Sequence, residues 1–393
     1  MRIALVAEWV DAWRGGAETS TTQFIHCLMD RGVEIHLFTR SRPSPTPGMQ
    51  VHTVSGAAMS RTRKTITFMH RVDRLIRSQS FDVVHAISPC RSADIYQPRG
   101  GTVAESIERN ISLHRNGASR SLKRYANRFN FKQRFALMVE RQLLGDRDGP
   151  IVVAISDYVV AQLKRHYDLP DARIRRIYNG VDPDDATDSV RAQERANVRE
   201  EFGISQNDCL VVLIAHNFRL KGVRVWMEAL SMLLKQGVTD VRSLVIGKGD
   251  SERWHRLAAR LGVAEHLTFT GPTDRVRAFQ HAADVLVHPT FYDPCSRVVL
   301  ESLSAGLACI TTRWDGASEM IRDGLNGYVL DDPRDVDALA DRIRRLRDPD
   351  HRRRLGEAAR QVGDRVSMAR HADAMLDLYG ELAPSGSPRH HTP

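Results

Sequence analysis

The sequence contains few cysteines and no long apolar run. Its five cysteines, among 393 residues, are scattered and odd in number, which predicts neither a zinc site nor a disulfide framework. The apolar runs, such as Cys209 to Ala215, are far shorter than the ~20 residues of a membrane-spanning helix. Near the amino terminus only Ile3 to Ala7 is apolar, which is shorter than the ~7–15 residues of a secretion-signal core. We therefore expect a cytoplasmic chain whose cysteines are reduced.

The sequence also lacks the glycine pattern of a dinucleotide site and the spacing of a metal site. Neither Gly15-Gly16 nor Gly247-Lys248-Gly249 completes G-x-G-x-x-G, which disfavours nicotinamide and flavin cofactors. No cluster of His, Asp and Glu has metal-ligand spacing, and Arg219 with Lys221 can supply the charge that a cation would bring. We expect neither a cofactor nor a metal.

Positive charge is in excess and is concentrated in one segment. The net charge of +9 favours an acidic partner, namely nucleic acid, anionic lipid or a phosphorylated substrate. Residues 99–134 carry nine cations against Glu105 and Glu108, a net +7. The cations are Arg99, Arg109, Arg115, Arg120, Lys123, Arg124, Arg128, Lys132 and Arg134.

Apolar side chains alternate with these cations at roughly helical spacing. Leu122, Tyr125, Phe129 and Leu137 fit a surface helix that lies on anionic lipid. An ordinary helix with an apolar inner face and a solvated basic face fits the same pattern. Nucleic acid is disfavoured because no RNA-binding motif accompanies the cations.

Hydrophobic strands alternate with helical patterns along the whole chain. The length predicts about two domains, and 42% hydrophobic with 27% charged residues is typical of a globular protein. The alternation predicts α/β domains with parallel sheets. We expect two doubly wound, Rossmann-like domains, residues 1–181 and 182–370, divided at the apolar-poor stretch that begins at Asp182. A helix over 371–383 is expected to pack back on the first domain, and 384–393 to be a disordered tail.

Three loops that follow strands carry candidate ligand-binding residues. Gly15-Gly16 between the first strand and helix suits the close approach of a phosphate, although the pair also suits a simple turn. Arg219 and Lys221-Gly222 follow the first strand of the second domain and suit a pyrophosphate, although a solvated basic loop fits equally.

The third loop leads into a helix with two carboxylates. Asp293 and Pro294 are suited to the N-cap and first position of a helix, which leaves the N–H groups of Cys295, Ser296 and Arg297 exposed. Glu301 follows Asp293 by eight residues and so lies on roughly the same face, where a carboxylate can accept hydrogen bonds from two sugar hydroxyls.

Together these segments resemble the retaining glycosyltransferases of family 4, which have the GT-B fold. The resemblance covers about residues 1–375 and includes the Asp293 to Glu301 spacing and Ser304-Ala-Gly306. Within the family the chain is most similar to the lipopolysaccharide core glucosyltransferase I group, through Ser92 to Tyr96, Ala104-Glu105 and Ile155 to Tyr158.

The resemblance implies a role for each candidate residue. Glu301 would hold the donor ribose, Arg219 and Lys221 the diphosphate, and Asp94 and His85 would orient the acceptor. The backbone of Gly15 and Gly16 would pack against the diphosphate, Gly247 would lie in the donor site, and the amides of Cys295, Ser296, Arg297 and Val298 would face the sugar or phosphate. Asp293 stands where the family has a longer glutamate, and Cys295-Ser296 replaces the family's Phe-Gly or Ala-Gly.

These observations predict a retaining, metal-independent enzyme that moves a hexose, glucose from a UDP donor, to a lipopolysaccharide-core-like or lipid-linked acceptor. It would act as a peripheral protein on the inner face of the plasma membrane. Two alternatives stay open. A sugar-nucleotide epimerase or phosphorylase would keep the fold, although neither paired cleft carboxylates nor a pyridoxal-phosphate lysine is visible. A non-catalytic basic membrane-binding relative would have lost transfer.

Overall fold

A computed structural model describes residues 1–11, 16–43, 46–54, 61–249 and 251–383. Gly15 and the expected tail, 384–393, lie outside the described residues. The chain divides into two compact units: unit 1 contains residues 1–180 with the segment from Met368 onwards, and unit 2 contains Val181–Ser367. The sequence predicts these divisions after residues 181 and 370. In the structure Val181 belongs to unit 2, and residues 368–370 belong to unit 1 together with the final helix.

Unit 1 contains a parallel seven-stranded sheet in the order β3-β2-β1-β4-β5-β6-β7. Its strands are β1 (Arg2–Val6), β2 (Glu34–Thr39), β3 (Met49–Thr53), β4 (Val83–Ala86), β5 (Ile95–Tyr96), β6 (Ile151–Ala154) and β7 (Ile174–Arg176). Central strands such as β1 are continuous apolar runs because helices cover both faces of a parallel sheet. The short strands β5 and β7 have too few residues for a pattern and were not predicted.

Six helices of unit 1 follow in chain order. They are α1 (Gly16–Met29), α2 (Arg61–Arg77), α3 (Val103–Ser112), α4 (Gly117–Asn127), α5 (Phe131–Gly145) and α6 (Asp157–Tyr167). The basic segment, expected as one surface helix, is divided into α3, α4 and α5. Side chains of Asn116 and Asn130 accept hydrogen bonds from the N–H groups of Ser119 and Gln133 and so begin new helices there.

Unit 2 contains a parallel six-stranded sheet in the order β10-β9-β8-β11-β12-β13. Its strands are β8 (Cys209–Ile214), β9 (Val241–Ile246), β10 (Leu267–Gly271), β11 (Val285–Val287), β12 (Ala308–Thr312) and β13 (Gly327–Leu330). Its helices are α7 (Asp188–Glu201), α8 (Val223–Lys235), α9 (Ser251–Leu261), α10 (Val276–Ala282), α11 (Arg297–Ser304), α12 (Val336–Leu346) and α13 (Pro349–Arg360). Helix α7 was missed because its sequence is mostly polar; the side chain of Thr187 caps it.

The final helix, α14 (Met368–Leu382), belongs to the core of unit 1. Met375 and Tyr379 are fully buried there, and the Tyr379 hydroxyl lies 2.7 Å from Nδ1 of His85. His371 Nδ1 donates to the carbonyl of Tyr178 at 2.7 Å. The chain thus returns to unit 1 after unit 2 is complete. No helix in the described part of the chain combines the length and the apolar character needed to cross a bilayer.

Candidate active site

The strand order of unit 2 places a candidate site at the carboxyl ends of β8 and β11. The chain runs from β8 to β9 and β10 on one side and from β11 to β12 and β13 on the other. Ligands of open α/β sheets bind at such a topological switch point, outside the carboxyl ends of the strands. The loops that follow β8 and β11 are those that carry Lys221 and Asp293.

Two glycines allow these loops to approach one another closely. Gly222 has φ of +74°, and a Cβ there would lie 2.1 Å from the carbonyl oxygen of Pro289, after β11. Gly247 has φ of +127°, and a Cβ would lie 1.8 Å from the carbonyl oxygen of Ala215, after β8. Only glycine fits either position. Gly247 therefore lies at the same edge of the sheet as Lys221, and its place in a donor site stays a prediction.

Lys221 and Asp293 form the central ion pair of this edge. Nζ of Lys221 lies 2.5 Å from Oδ2 of Asp293 and donates to the carbonyl of Tyr292 at 3.0 Å. Burial would raise the pKa of Asp293, but the charge of Lys221 and the nearby His288 hold it below its usual value. Arg219, two residues before Lys221, is exposed. The structure thus provides one cation held by a carboxylate and one that extends into solvent.

The start of α11 corrects one expectation. The helix begins at Arg297 rather than at Pro294, and Asp293 is not its N-cap. The Cys295 N–H donates to Oδ1 of Asp293 at 3.3 Å, and the Ser296 N–H donates to Oδ1 of Asp315 at 2.9 Å. These two N–H groups are therefore engaged within the protein and are not exposed as predicted. Arg297 and Val298 form the first turn of α11.

Asp315 was not singled out from the sequence, yet it organises this edge. It is fully buried and accepts hydrogen bonds from the N–H groups of Ser296 and Ala317 and from the Thr311 hydroxyl, at 2.8–2.9 Å. Burial and the nearby Asp293 raise its pKa. Asp315 stands in the loop after β12. Thr311 and Ala317 are close to it in sequence, but Ser296 is 19 residues away, and no local pattern indicates that contact.

Glu301 is largely buried on α11, one turn after Arg297. Its Oε1 lies 2.9 Å from Nη2 of Arg297, an i to i+4 pair. Burial raises the pKa of Glu301, and the charges of Arg297 and Arg277 act in the opposite direction. Its side chain is 19% exposed, which leaves a carboxylate that a ligand can reach. Unit 2 thus holds Lys221 and Arg219 in the loop after β8, Asp293 in the loop after β11 and Glu301 on α11.

Two predicted acceptor residues lie within the framework of unit 1. His85 is buried on β4, where burial and the charges of Arg99 and His371 lower its pKa. Asp94 precedes β5, and its Oδ2 accepts a hydrogen bond from the Val84 N–H at 2.8 Å. Asp94 is therefore at the amino ends of the strands, opposite to the usual ligand edge. Both side chains have structural contacts, and their roles toward an acceptor stay predictions.

The carboxyl edge of unit 1 instead presents a polar group that sequence reasoning missed. Arg40, after β2, pairs with Glu8, after β1, at 2.8 Å, and Thr65 donates to the same carboxylate at 3.1 Å. The Glu8 N–H donates to the Ser88 hydroxyl at 2.8 Å, across the switch point between β1 and β4. The sequence feature that could have indicated this group is the charged residue that follows each buried strand, Glu8 after β1 and Arg40 after β2. Gly16 is the exposed first residue of α1.

The basic segment exposes several large apolar side chains. Leu122, Tyr125, Phe129 and Phe131 are 59–81% exposed, and α4 has no buried residue. Arg115, Arg124, Arg128 and Lys132 are exposed, and Lys123 and Arg120 are partly exposed. Arg109 differs from the other cations because its guanidinium pairs with the buried Glu105 at 2.7 Å. We call Leu122, Tyr125, Phe129 and Phe131 the aromatic patch.

One group of side chains in the described part of the chain has metal-ligand geometry. Glu105, Glu108 and His166 place their ligand atoms within 4.8 Å of one another. Nη2 of Arg165 lies 2.7 Å from Glu105 and also contacts Glu108. The guanidinium of Arg165 therefore already supplies positive charge between these carboxylates, and we interpret Glu105, Glu108 and His166 as part of an ion-pair network.

Comparisons with known proteins agree with this architecture. The family model described as Glycosyltransferase Family 4 matches residues 14–185, and Glycosyl transferases group 1 matches residues 194–362. The lipopolysaccharide glucosyltransferase WaaG of Escherichia coli K12 is 22% identical over 332 residues, which cover 84% of this chain and 86% of the relative. The crystal structure of WaaG, a glycosyltransferase involved in lipopolysaccharide biosynthesis, has a TM-score of 0.81 at 20% identity and covers 96% of this chain and 99% of its own.

A second solved structure contains a nucleotide sugar. Anabaena Alr3699/HepE in complex with UDP-glucose has a TM-score of 0.70 at 15% identity, over 97% of this chain and 100% of that chain. The family models divide the sequence as the structure divides it, and the solved structures share both units' fold. The chain therefore belongs to the family 4 glycosyltransferases and has the GT-B fold.

Proposed function

We propose that this glycosyltransferase is a retaining, metal-independent enzyme that transfers glucose from UDP-glucose to a lipopolysaccharide-core-like or lipid-linked carbohydrate acceptor. The observation that carries the donor site is the position of Lys221 and Asp293 at the switch point of unit 2, with Glu301 on the following helix. The name of the E. coli relative supports glucose and the lipopolysaccharide acceptor, and the HepE complex supports UDP.

The charges at this edge suit departure of a nucleoside diphosphate. Negative charge grows on the leaving diphosphate as the bond to the sugar breaks, so cations placed there stabilise the transition state more than the ground state. Lys221 is held within 2.5–3.0 Å of two protein oxygens, and Arg219 is exposed beside it. A pre-positioned ammonium and a guanidinium can do the electrostatic work of a metal ion, which is why we propose a metal-independent reaction.

Retention of configuration rests on the family resemblance. No covalent nucleophile is needed when the acceptor attacks from the face that the diphosphate leaves. The proposed chemistry is tested by incubating the protein with UDP-glucose and a lipopolysaccharide core acceptor in the presence of EDTA. Nuclear magnetic resonance of the product is expected to show an α-linked glucose. A β-linked product, or transfer that stops with EDTA and returns with added Mg²⁺, would contradict the proposal.

We also propose that the protein acts at the inner face of the cytoplasmic membrane, through the aromatic patch and the cations beside it. Exposed aromatic and apolar side chains next to Arg and Lys favour the boundary of an anionic bilayer. The test is sedimentation with vesicles of phosphatidylglycerol and phosphatidylcholine. Binding is expected for the anionic vesicles, and the triple variant Leu122→Ser, Tyr125→Ser, Phe129→Ser is expected to lose it.

Unit 2 offers a matched control for that variant. Val190 and Leu325 are 46% and 52% exposed, so Val190→Ser with Leu325→Ser removes exposed apolar side chains that do not belong to the patch. The control is expected to bind anionic vesicles as the unmodified protein does. Equal binding by the triple variant and the unmodified protein would show that the aromatic patch is an ordinary solvated surface.

A further inference from the structure

A buried histidine lies beside the ion pair of the donor site. His288 follows β11 and is 1% exposed, and its Nε2 lies 3.5 Å from Oδ2 of Asp293. Among the residues that the structure describes, neither ring nitrogen has a hydrogen-bond partner. Buried polar groups in proteins are rarely left without one. An imidazole in this state can accept or lose a proton without breaking an existing hydrogen bond.

The charges around His288 change when a diphosphate binds. In the free protein Asp293 shares Oδ2 with Lys221, and Asp315 is the second carboxylate that acts on the imidazole. Lys221 and the two carboxylates thus sum to a single negative charge. A bound diphosphate adds two more negative charges and competes for Lys221. Histidine is the type of side chain whose ordinary pKa lies closest to neutral pH.

We propose that His288 takes up a proton from the solvent when the nucleotide sugar binds, so that the imidazolium holds Asp293 while Lys221 serves the diphosphate. His288 is then a positioning residue, because it acts through Asp293 and does not itself touch the donor. This inference rests on the proposed donor site of unit 2.

Asp315 is a poorer acceptor for this proton. The three groups bonded to it, the N–H groups of Ser296 and Ala317 and the hydroxyl of Thr311, are oriented as donors toward its two oxygens. Donors of this kind stabilise the charged form of a carboxylate. Protonation of Asp315 would disturb one of these contacts, whereas protonation of His288 adds a favourable contact to Asp293.

The test is calorimetric titration of the full chain with UDP-glucose at pH 7.5, in two buffers of different ionisation enthalpy. UDP-glucose is a diphosphate diester and has no phosphate that titrates near this pH, so a proton taken up belongs to the protein. We expect uptake of about half to one proton per donor, and an affinity that falls by up to about tenfold per pH unit on the alkaline side.

His288→Gln is the diagnostic variant, because a glutamine amide can still donate to Asp293 but cannot take up a proton. Its proton uptake is expected to fall to zero while UDP-glucose still binds. His255→Gln is the matched control: His255 is exposed on α9, and this variant is expected to keep the full uptake. Uptake that persists in His288→Gln, or is absent from the unmodified protein, would overturn the inference.

The pH series of the unmodified protein decides the matter if His288→Gln does not fold. UDP-glucose affinity that is constant between about pH 6.5 and 8.5 contradicts proton uptake by a histidine.

The same titration with GDP-, ADP- and dTDP-glucose separates the proposal of proton uptake by His288 from the proposal that UDP-glucose is the donor. Binding of one of these with His288-dependent uptake would support the inference and refute UDP-glucose as the donor. Binding of none would refute both.

Discussion

Replacement of Gly222 by alanine tests whether the close approach of two loops builds the donor site. The backbone at Gly222 is left-handed, with φ of +74°, and the new Cβ would lie 2.1 Å from the Pro289 carbonyl oxygen. The left-handed conformation costs an alanine about 1–2 kcal/mol. Relief of the overlap requires a backbone shift, which costs about 1–3 kcal/mol more.

Gly237→Ala isolates the first contribution, the cost of the left-handed backbone. Gly237 has φ of +79° in the same unit, but nothing lies within 4 Å of a Cβ added there. Because 1 kcal/mol corresponds to about 2–4 °C for a unit of this size, we expect Gly237→Ala to lower Tm by about 2–8 °C. Gly222→Ala should lower Tm further and weaken UDP-glucose binding, since Lys221 is its neighbour. Thermal unfolding and calorimetry give both readouts. If the two variants lose equal stability and neither loses affinity, the loops do not constrain one another as argued.

Three further outcomes follow from the ion pairs of unit 2. Lys221→Met should weaken UDP-glucose binding by about 10- to 100-fold, because one charged hydrogen bond contributes about 1.5–3 kcal/mol. Unchanged affinity in a calorimetric titration would show that Lys221 does not bind the diphosphate. Glu301→Gln should keep or raise Tm at pH 8 while it weakens donor binding. The pKa of Glu301 is raised in the folded protein, so the charged carboxylate disfavours folding at pH values above that pKa. A lower Tm of the variant at pH 8 would contradict this reasoning. Because the pKa of Asp293 is lowered in the folded state, its charged carboxylate stabilises unit 2 at pH values above the pKa of the unfolded state, and this stability is lost as the pH falls through the pKa of the folded state. Lys221→Met should therefore make Tm depend less on pH on the acid side. An unchanged Tm-against-pH curve would argue against the Lys221–Asp293 pair.

Much of the fold could be predicted from the sequence, because buried strands of a parallel sheet are continuous apolar runs. The apolar runs Arg2–Ala7 and Cys209–Ala215 predict β1 and β8 to within one residue at each end. The helical patterns over Asp157–Tyr167 and Ser251–Leu261 coincide with α6 and α9. Short or polar elements were not: β5 has two residues, and α7 has an almost wholly polar sequence. These elements form because the surrounding sheet and the cap at Thr187 support them, and neither support is visible in a local pattern.

The candidate site was only partly predictable, for a related reason. Loop glycines and cations after strands indicated Lys221 and Gly247, and the eight-residue spacing indicated Glu301. The expected N-cap at Asp293 was wrong because Lys221 engages that carboxylate and Asp315 binds the Ser296 N–H instead. Asp315 acquires its role by binding the Ser296 N–H of another loop, and His288 acquires its role beside the pair that Asp293 forms with Lys221, 72 residues earlier. Such contacts depend on the sheet order, which sequence spacing does not encode.

The most direct test of the donor site in unit 2 is a thermal-shift panel of the purified protein with UDP-, GDP-, ADP- and dTDP-glucose, without added metal. A ligand that binds only the folded state raises Tm by mass action. We predict that UDP-glucose raises Tm of the unmodified protein and that Glu301→Ala, at the same donor concentration, shows little or no shift. Equal shifts for both proteins would contradict the ribose assignment of Glu301, and no shift with any of the four nucleotide sugars would contradict the proposed donor site itself.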